Sequence, residues 1–287
     1  MKKSSFNMVS LSDTGYPPLL RMIKDPPETL YYAGNLALAS RTCISVVGSR
    51  HGTAYGRWVA RLLGSKTAQY GISLVSGLAA GIDAAGHQSA LDHQGPTIAV
   101  LGTGIDICYP RSNQHLMAEI EEKGLILTEY PPGFRATPYS FPARNRIISG
   151  LSVATVVVEA GISSGSLITA GFSEDQGRRT YGVPGNINSL FSAGTNKLIA
   201  DGALPMTAFE DILDDLGIPR LQEAEVMKTL GQDEIRIYQA LAEGGEMTAD
   251  ELCRRTGKPV SHIHALVTIM EMKGVLWTSL GKIFIAK

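Results

Sequence analysis

The stretch CISVVGSRHGTAYG, residues 43 to 56, is an apolar run that ends at a glycine and leads into a helical pattern. Its first six residues are rich in β-branched side chains and predict a buried strand. The following AYGRWVARLLGSKTAQYG predicts an amphipathic helix that ends at Gly71. A buried strand, a glycine-containing loop and a helix together are typical of an α/β fold.

The same unit recurs along the chain. Further strands are predicted at residues 72–77, 97–102, 125–130, 154–161 and 179–185. Continuous apolar strands separated by helices indicate a parallel sheet that is covered on both faces. We therefore predict an α/β domain with a doubly wound, mostly parallel sheet, whose ligand lies beyond the carboxyl ends of the strands.

The flanking segments have different patterns and suggest four parts. Residues 1–40 contain four prolines, at positions 17, 18, 26 and 27, and predict an extended N-terminal arm lying on the main domain. The main domain spans 41–217, with an acidic helix in 203–219, and a linker spans 218–229. In residues 230–287, three helical patterns and a hairpin turning near Gly281 predict a small winged-helix-like domain.

Composition excludes several classes of protein. Of the 287 residues, 44% are hydrophobic and 18% charged, which indicates a folded protein, and the formal net charge of −1 excludes an overall basic coat for nucleic acid. Three scattered cysteines predict neither a disulfide frame nor a zinc site, and no ligand set has metal spacing. Without a signal peptide or membrane-spanning pattern, a cytoplasmic location is expected.

The loops after the strands are rich in glycine, serine and basic residues. The first strand ends in Gly48, Ser49 and Arg50 and is followed by a helix N-terminus, which favours an anion. No GxGxxG loop and no Walker A loop occurs, so dinucleotide binding and ATP hydrolysis lack support. Ordinary turns also use such residues, but four loops at one sheet edge predict a cationic groove lined by backbone amides. Besides those three residues, the predicted nucleic-acid-binding residues are Gly77, Phe141, Arg144, Asn145, Arg146, Ser163, Gly165, Ser166, Thr169, Gly185, Asn188, Gly194, Thr195, Asn196 and Lys197.

The stretch FPARNRIISGL, residues 141 to 151, contains two arginines next to an apolar run. They are either solvated residues at a helix start or a phosphate socket, because a guanidinium matches phosphate oxygens in pairs. Two arginines at i and i+2 of one helix point apart. We therefore expect Arg144 in the loop and Arg146 in the first helical turn, so that both contact successive phosphates. Phe141 is either a stacking surface for bases or a core anchor.

Other polar residues suggest supporting roles. His87 and Asp83 lie at i and i+4 of a predicted helix and are expected to form a structural hydrogen bond. Glu129 and Glu159 end strands, where each could orient an arginine or act as a general base. An arginine–glutamate scaffold is the favoured interpretation for both.

The ordered blocks VVGSR, VSGLAAGID, FPARNRIISGLS, VVVEAG-x3-GSLITA and GTNKLI resemble the DprA/Smf family over roughly residues 10 to 216. The resemblance implies an extended Rossmann-like fold in a cytoplasmic bacterial protein that is not an enzyme and has no cofactor. It also implies binding and protection of incoming single-stranded DNA in natural transformation, assistance in loading the RecA recombinase, and a homodimer.

Two alternatives accompany this resemblance. A nucleoside-monophosphate phosphoribohydrolase would use a PGGxGTxxE loop, whereas the corresponding residues here read EAGISSGSLITAG. The pathway could also be general recombination or repair instead of transformation. The predicted third helix of the C-terminal domain, SHIHALVTIMEMKG, has few basic residues, so duplex reading and a protein–protein role both stay open.

Overall fold

The long apolar runs of the sequence form the centre of a nine-stranded sheet. The computed structural model describes residues 6–218 and 223–286. The strands of this sheet are β1 (Asn7–Ser10), β2 (Thr29–Gly34), β3 (Cys43–Val47), β4 (Ser73–Ser76), β5 (Thr97–Val100), β6 (Leu125–Thr128), β7 (Ala154–Val157), β8 (Arg179–Gly182) and β9 (Leu204–Pro205). All six strands predicted from residue 43 onward are present, and their order is β1-β2-β6-β5-β4-β3-β7-β8-β9.

Helices cover both faces of this sheet, as the continuous apolar strands predict. They are α1 (Pro18–Arg21), α2 (Ala54–Gln69), α3 (Ile82–Asp92), α4 (Gln114–Lys123), α5 (Ser140–Gly150), α6 (Gly165–Asp175) and α7 (Ala193–Ala200). Every residue of β3 to β7 is buried. Side chains of α3 and α4 pack with Ala99 and Ile126, whereas those of α5 and α6 pack with Val100 and Leu127. Neighbouring strand residues thus face opposite helical layers, which is the alternation of a strand buried on both sides.

The chain changes direction across the sheet between β3 and β7. From β3 it proceeds through β4 and β5 to β6, and it then returns so that β7 pairs in parallel with the other side of β3. Val47 and Val157 are partners at the carboxyl ends of these two strands. This is the switch point at which doubly wound sheets bind ligands.

The N-terminal segment extends the sheet, which corrects the prediction of an arm lying on the domain. Strand β2 pairs antiparallel with β6, and β1 pairs antiparallel with β2 at the edge. The sequence TLYYAG of β2 is only partly buried and mixes polar and aromatic residues. Because β2 lacks a continuous apolar run and prolines interrupt the segment before it, the sequence did not indicate these two strands.

Contacts between residues divide the chain into two units, residues 1–209 and 210–287. The predicted boundaries at 217 and 230 stay predictions. The second unit contains α8 (Phe209–Leu216), whose first residue is the last of the first unit, and α9 (Glu223–Lys228), α10 (Gln232–Gly244), β10 (Met247–Thr248), α11 (Ala249–Thr256), α12 (Val260–Met272), β11 (Leu276–Ser279) and β12 (Lys282–Ile285). The three predicted helices and the terminal hairpin are confirmed, whereas α9 and the two-residue β10 were not predicted.

A capping box fixes the start of α11. The Thr248 hydroxyl accepts a hydrogen bond from the Glu251 N–H at 3.3 Å, and the Glu251 carboxylate accepts one from the Thr248 N–H at 2.8 Å. This confirms the helix start predicted at Thr248.

Two further findings concern the described residues. Cys43, Cys108 and Cys253 are free thiols, and only Cys43 is fully buried. Within residues 6–218 and 223–286, no helix combines the length and apolar character needed to cross a bilayer.

Candidate nucleic-acid interface

A cavity of about 340 Å³ lies at the carboxyl ends of β3 and β7. The loop after β3, the loop after β4, one side of α5 and the start of α6 enclose it. We call it the switch-point pocket. Nine of the predicted site residues line it: Gly48, Ser49, Arg50, Phe141, Arg144, Asn145, Gly165, Ser166 and Thr169.

Arg50 is the exposed cation of this pocket. Its guanidinium carbon lies 5.5 Å from the centroid of the Phe141 ring. Within the described part of the chain, no carboxylate forms an ion pair with Arg50. The arginine is therefore available to an anion while the aromatic ring holds its position.

Phe141 is half-buried and is anchored in the fold, and its role as a stacking surface for bases stays a prediction. One side packs so closely on Gly102 that a β-carbon there would lie 2.8 Å from the ring. Tyr109 lies 5.2 Å away, centroid to centroid, and is 48% exposed. The ring is thus anchored in the fold while it lines the pocket. Tyr109 was not among the site residues predicted from the sequence. The available signal was its position in the loop after a predicted strand.

The α6 start supplies small polar groups to the same pocket. The Ser164 hydroxyl accepts a hydrogen bond from the Ser166 N–H at 3.4 Å. It also lies 2.8 Å from the Ser166 hydroxyl. The Asn145 amide donates to the Gly165 carbonyl at 3.2 Å, which joins α5 to this helix start. A helix N-terminus with hydroxyl groups favours a phosphate oxygen. Ser163 is exposed in the preceding loop and does not line the pocket.

Arg144 occupies a different place from the one predicted. Both Arg144 and Arg146 lie inside α5, so the expectation of a loop arginine followed by a first-turn arginine is wrong. Arg144 is 5% exposed, and its guanidinium donates to the carbonyls of Gly77, at 2.9 Å, and Val100. Burial lowers the pKa of Arg144 to about 10, so the side chain is charged at neutral pH. Arg144 therefore ties together the ends of β4 and β5 beneath the pocket.

Gly77 belongs to the same arrangement. A β-carbon at this position would lie 2.6 Å from the Arg144 guanidinium. The glycine thus admits the arginine. Gly48 lines the pocket and also has a packing role, because a β-carbon there would lie 2.8 Å from the Ile82 side chain, so this glycine permits the approach of α3 to β3.

Arg146 points away from Arg144, as their spacing on one helix requires. It forms a two-pronged ion pair with Glu129, with both N–O distances at 2.7 Å. It also donates to the Asp25 carbonyl at 3.0 Å. Hydrogen bonding to the Glu129 carboxylate raises the pKa of Arg146. The predicted arginine–glutamate scaffold is confirmed for this pair, and the shared phosphate socket of Arg144 and Arg146 is not present.

Glu159 supports the loop after β3 without an arginine. Its carboxylate accepts from the Thr53 N–H at 2.8 Å and from the Thr53 hydroxyl at 2.5 Å. Because Thr53 also caps α2, Glu159 fixes the angle at which the Arg50 loop enters that helix.

The loop between β8 and α7 lies at the same sheet edge but does not line the pocket. The Asn196 amide makes two hydrogen bonds with the Gly185 backbone, at 2.9 and 3.1 Å. Lys197 pairs with Asp201 at 2.9 Å on the exposed face of α7. Lys197 does not line the switch-point pocket, and its contact with nucleic acid stays a prediction. Nucleic-acid binding also stays a prediction for the five other site residues of this segment, which are Gly185, Asn188, Gly194, Thr195 and Asn196.

Asp83 and His87 are buried beside Arg144 but bond to other partners. Asp83 accepts from the N–H groups of Gly77, at 3.0 Å, and Ala79, at 3.3 Å. Burial raises the pKa of the Asp83 carboxyl, and Arg144 opposes this rise. His87 Nδ1 lies 2.7 Å from the Thr97 hydroxyl. The predicted Asp83–His87 hydrogen bond is therefore replaced by two at Asp83 and one at His87.

We expect His87 to make the protein less stable in acid. Burial lowers the pKa of the folded imidazole to about 3, below the ordinary 6.5, so between these values the unfolded chain binds a proton that the folded chain does not. Stability should fall as pH decreases through this window, by up to about 1.4 kcal/mol per pH unit. Urea unfolding at several pH values measures the effect. The His87→Asn variant retains a donor for Thr97 and should lack this contribution, and parallel pH dependences in both proteins would contradict the assignment.

A doubly wound sheet with a pocket at its switch point, followed by a winged-helix unit, defines a Rossmann-like α/β protein with an added winged helix. Residues 7–217 match the family described as DNA recombination-mediator protein A, and residues 223–279 match the DprA winged helix domain. The chain therefore belongs to the DNA recombination-mediator protein A family, which confirms the predicted resemblance and fold class.

Individual relatives agree with this membership. The chain is 35% identical to Protein Smf of Escherichia coli over 96% of its own length and 76% of that protein. The DprA structure from Streptococcus pneumoniae superposes with a TM-score of 0.70 at 41% identity, covering 73% of this chain and 74% of that one. A structure of the Helicobacter pylori protein, described by its single-stranded DNA binding mode, has a TM-score of 0.67 at 30% identity and covers 75% and 97% of the two chains.

Proposed function

We propose that this protein binds single-stranded DNA without regard to base sequence, through the switch-point pocket. The observation that carries the proposal is the position of Arg50 at the pocket: it is exposed, lies against the half-buried ring of Phe141 and has no ion-pair partner among the described carboxylates. An arginine beside an aromatic ring offers one group for a phosphate and one for a base.

The pocket chemistry favours binding that ignores the base. A phosphate is the same in every nucleotide, and every base has a face that stacks on an aromatic ring. Asn145 could read a base edge, but its amide is engaged by Gly165 and Arg144. The polar groups that remain belong to serine hydroxyls and the α6 start, which suit phosphate oxygens.

The winged-helix unit has no assigned part in duplex reading. Helix α12 contains no lysine or arginine. The neighbouring Lys258 and Lys273 pair with Asp233 and Glu234, at 2.8 and 2.7 Å. Paired lysines contribute little to phosphate attraction, so the proposal assigns DNA binding to the first unit.

Family membership extends the proposal to recombination. The family description names a recombination mediator, and the similar Helicobacter pylori protein is described by its binding of single-stranded DNA. We infer that this chain acts in the cytoplasm as a homodimer, protects single strands and helps load RecA, in transformation or in general recombination. Faster RecA ATP hydrolysis on single strands precoated with a single-strand-binding protein would support the loading role.

The proposal assigns binding and no catalysis to the pocket. The phosphoribohydrolase alternative predicts release of adenine from AMP, which incubation and chromatography would detect. Among the described residues, no group of three or more His, Cys, Asp and Glu side chains could hold a metal ion.

Fluorescence anisotropy with a labelled oligothymidylate tests the proposal. For two phosphate contacts, affinity should fall about sevenfold between roughly 50 and 200 mM salt, because each contact contributes a slope of about −0.7. A mixed-sequence single strand should bind within a fewfold of oligothymidylate, and a duplex of equal length should bind more weakly. Equal or tighter binding of the duplex would overturn the proposal.

A further inference from the structure

A second and larger concavity begins where the switch-point pocket ends. It has a volume of about 810 Å³ and lies between α2, α3 and the start of α4. We call it the α2 groove. Arg50 lines both the groove and the pocket, so the two concavities meet at this side chain.

The α2 groove is basic. Arg57 and Arg61 line it together with Arg50, and all three are exposed. Asp92 is the one carboxylate among its described lining residues, and it accepts a hydrogen bond from the Gln88 amide at 3.0 Å. Three guanidinium groups around one carboxylate leave an excess of positive charge in a protein whose formal net charge is −1. A local excess of this kind attracts anions from solution.

The spacing of the arginines suits a chain of phosphates. Arg57 and Arg61 are four residues apart on α2, which places them on one face about 6 Å apart along the helix axis. Arg57 also donates to the Gly52 carbonyl, which holds its guanidinium beside the Arg50 loop. The three cations therefore form a row that starts at the pocket and continues along α2.

We propose that a single strand bound in the switch-point pocket continues past Arg50 into the α2 groove, where Arg57 and Arg61 hold its next phosphates. This inference rests on the proposed function and specifies the course of the strand. The groove lengthens the binding site in one direction, and it contributes charge contacts without further base stacking. Binding should therefore have two parts, one that needs only a few nucleotides and one that needs a longer strand.

The test compares two lengths of oligothymidylate, about 5 and about 16 nucleotides, within the range of single-strand site sizes. The full chain carrying Arg57→Ala and Arg61→Ala should bind the longer strand about tenfold more weakly and the shorter strand within about twofold of wild type. The slope of log affinity against log salt on the longer strand should become shallower by about 1.4, the value for two phosphates.

A matched control carries Arg41→Ala and Arg179→Ala. Both of these arginines are exposed near the amino ends of β3 and β8, so the control loses equal charge from the opposite sheet edge. Arg61→Ala is also measured alone, because Arg57 contacts Gly52 and could influence the loop.

The outcomes separate this inference from the proposed function. If the groove variant equals the control on the longer strand while wild type binds both lengths, the α2 course is wrong and the pocket assignment stands. If wild type binds neither length, both are overturned. A tenfold loss confined to the longer strand supports both.

Discussion

Replacing Arg50 with alanine should weaken binding of single-stranded DNA about 10- to 100-fold while the fold stays intact. The expected loss is that of a charge-assisted hydrogen bond, about 1.5–3 kcal/mol. Arg50 is exposed and forms no ion pair with the described carboxylates, so its removal leaves no buried charge behind. Anisotropy titration with oligothymidylate measures the effect, and circular dichroism checks the fold.

Phe141→Leu in the same assay should cost about 1–3 kcal/mol, the value of one stacked base. Because Arg50 lies over the Phe141 ring, the double variant should lose less than the sum of the single losses. Arg146→Ala is the contrasting variant, since this side chain is engaged by Glu129, and it should bind within about twofold of wild type. Equal losses for Arg50→Ala and Arg146→Ala would contradict the assignment of the pocket cation.

Replacing Arg144 with methionine should destabilise the first unit by about 3–5 kcal/mol. The change leaves the Asp83 carboxyl buried without its cation, and the carbonyls of Gly77 and Val100 lose a charged donor. Both effects are large because an unpaired buried polar group loses its hydration without compensation.

Unfolding can be followed in the first unit alone. The chain has two tryptophans, Trp58 and Trp277, which lie in different units. In a Trp277→Phe background, fluorescence during urea unfolding therefore reports on the first unit. Adding Asp83→Asn to Arg144→Met should recover part of the loss, because the amide carries no charge. A stability within about 1 kcal/mol of wild type, combined with lost DNA binding, would return Arg144 to the role of phosphate ligand.

The sheet could be predicted because its evidence is local. Each central strand is a continuous apolar run, and a run of this kind has few alternatives to burial on both faces. The pocket position followed from the same pattern, since the loops after β3, β4 and β7 meet at one edge of a parallel sheet. Arg50 was found because it follows the first strand directly.

The roles of Arg144 and Arg146 could not be predicted because their partners are distant in sequence. Arg144 donates to carbonyls 67 and 44 residues away, and Arg146 pairs with Glu129, 17 residues away. A carbonyl at a strand end satisfies a guanidinium as well as a phosphate does, and no residue pattern distinguishes the two. In the structure Thr137 and Ser140 exchange hydrogen bonds in the turn that leads into α5, and both arginines lie within that helix.

The arginines of the α2 groove were also missed from the sequence. Arg57 and Arg61 fall on a predicted amphipathic helix, where exposed basic residues are common. Only the packing of α2 against α3 and the start of α4 makes a concavity of that face. A spacing of four residues, starting one helix turn after the Arg50 loop, was the available signal.

Photochemical cross-linking tests most directly whether the strand lies in the switch-point pocket. An oligothymidylate carrying 5-iodouracil is bound to the full chain and irradiated, and the cross-linked peptide is identified by mass spectrometry. We expect attachment at Phe141, whose ring lies beside Arg50, or at the neighbouring Tyr109. Attachment mainly at Trp277 or Phe284, which stack on each other in the terminal hairpin, would contradict it.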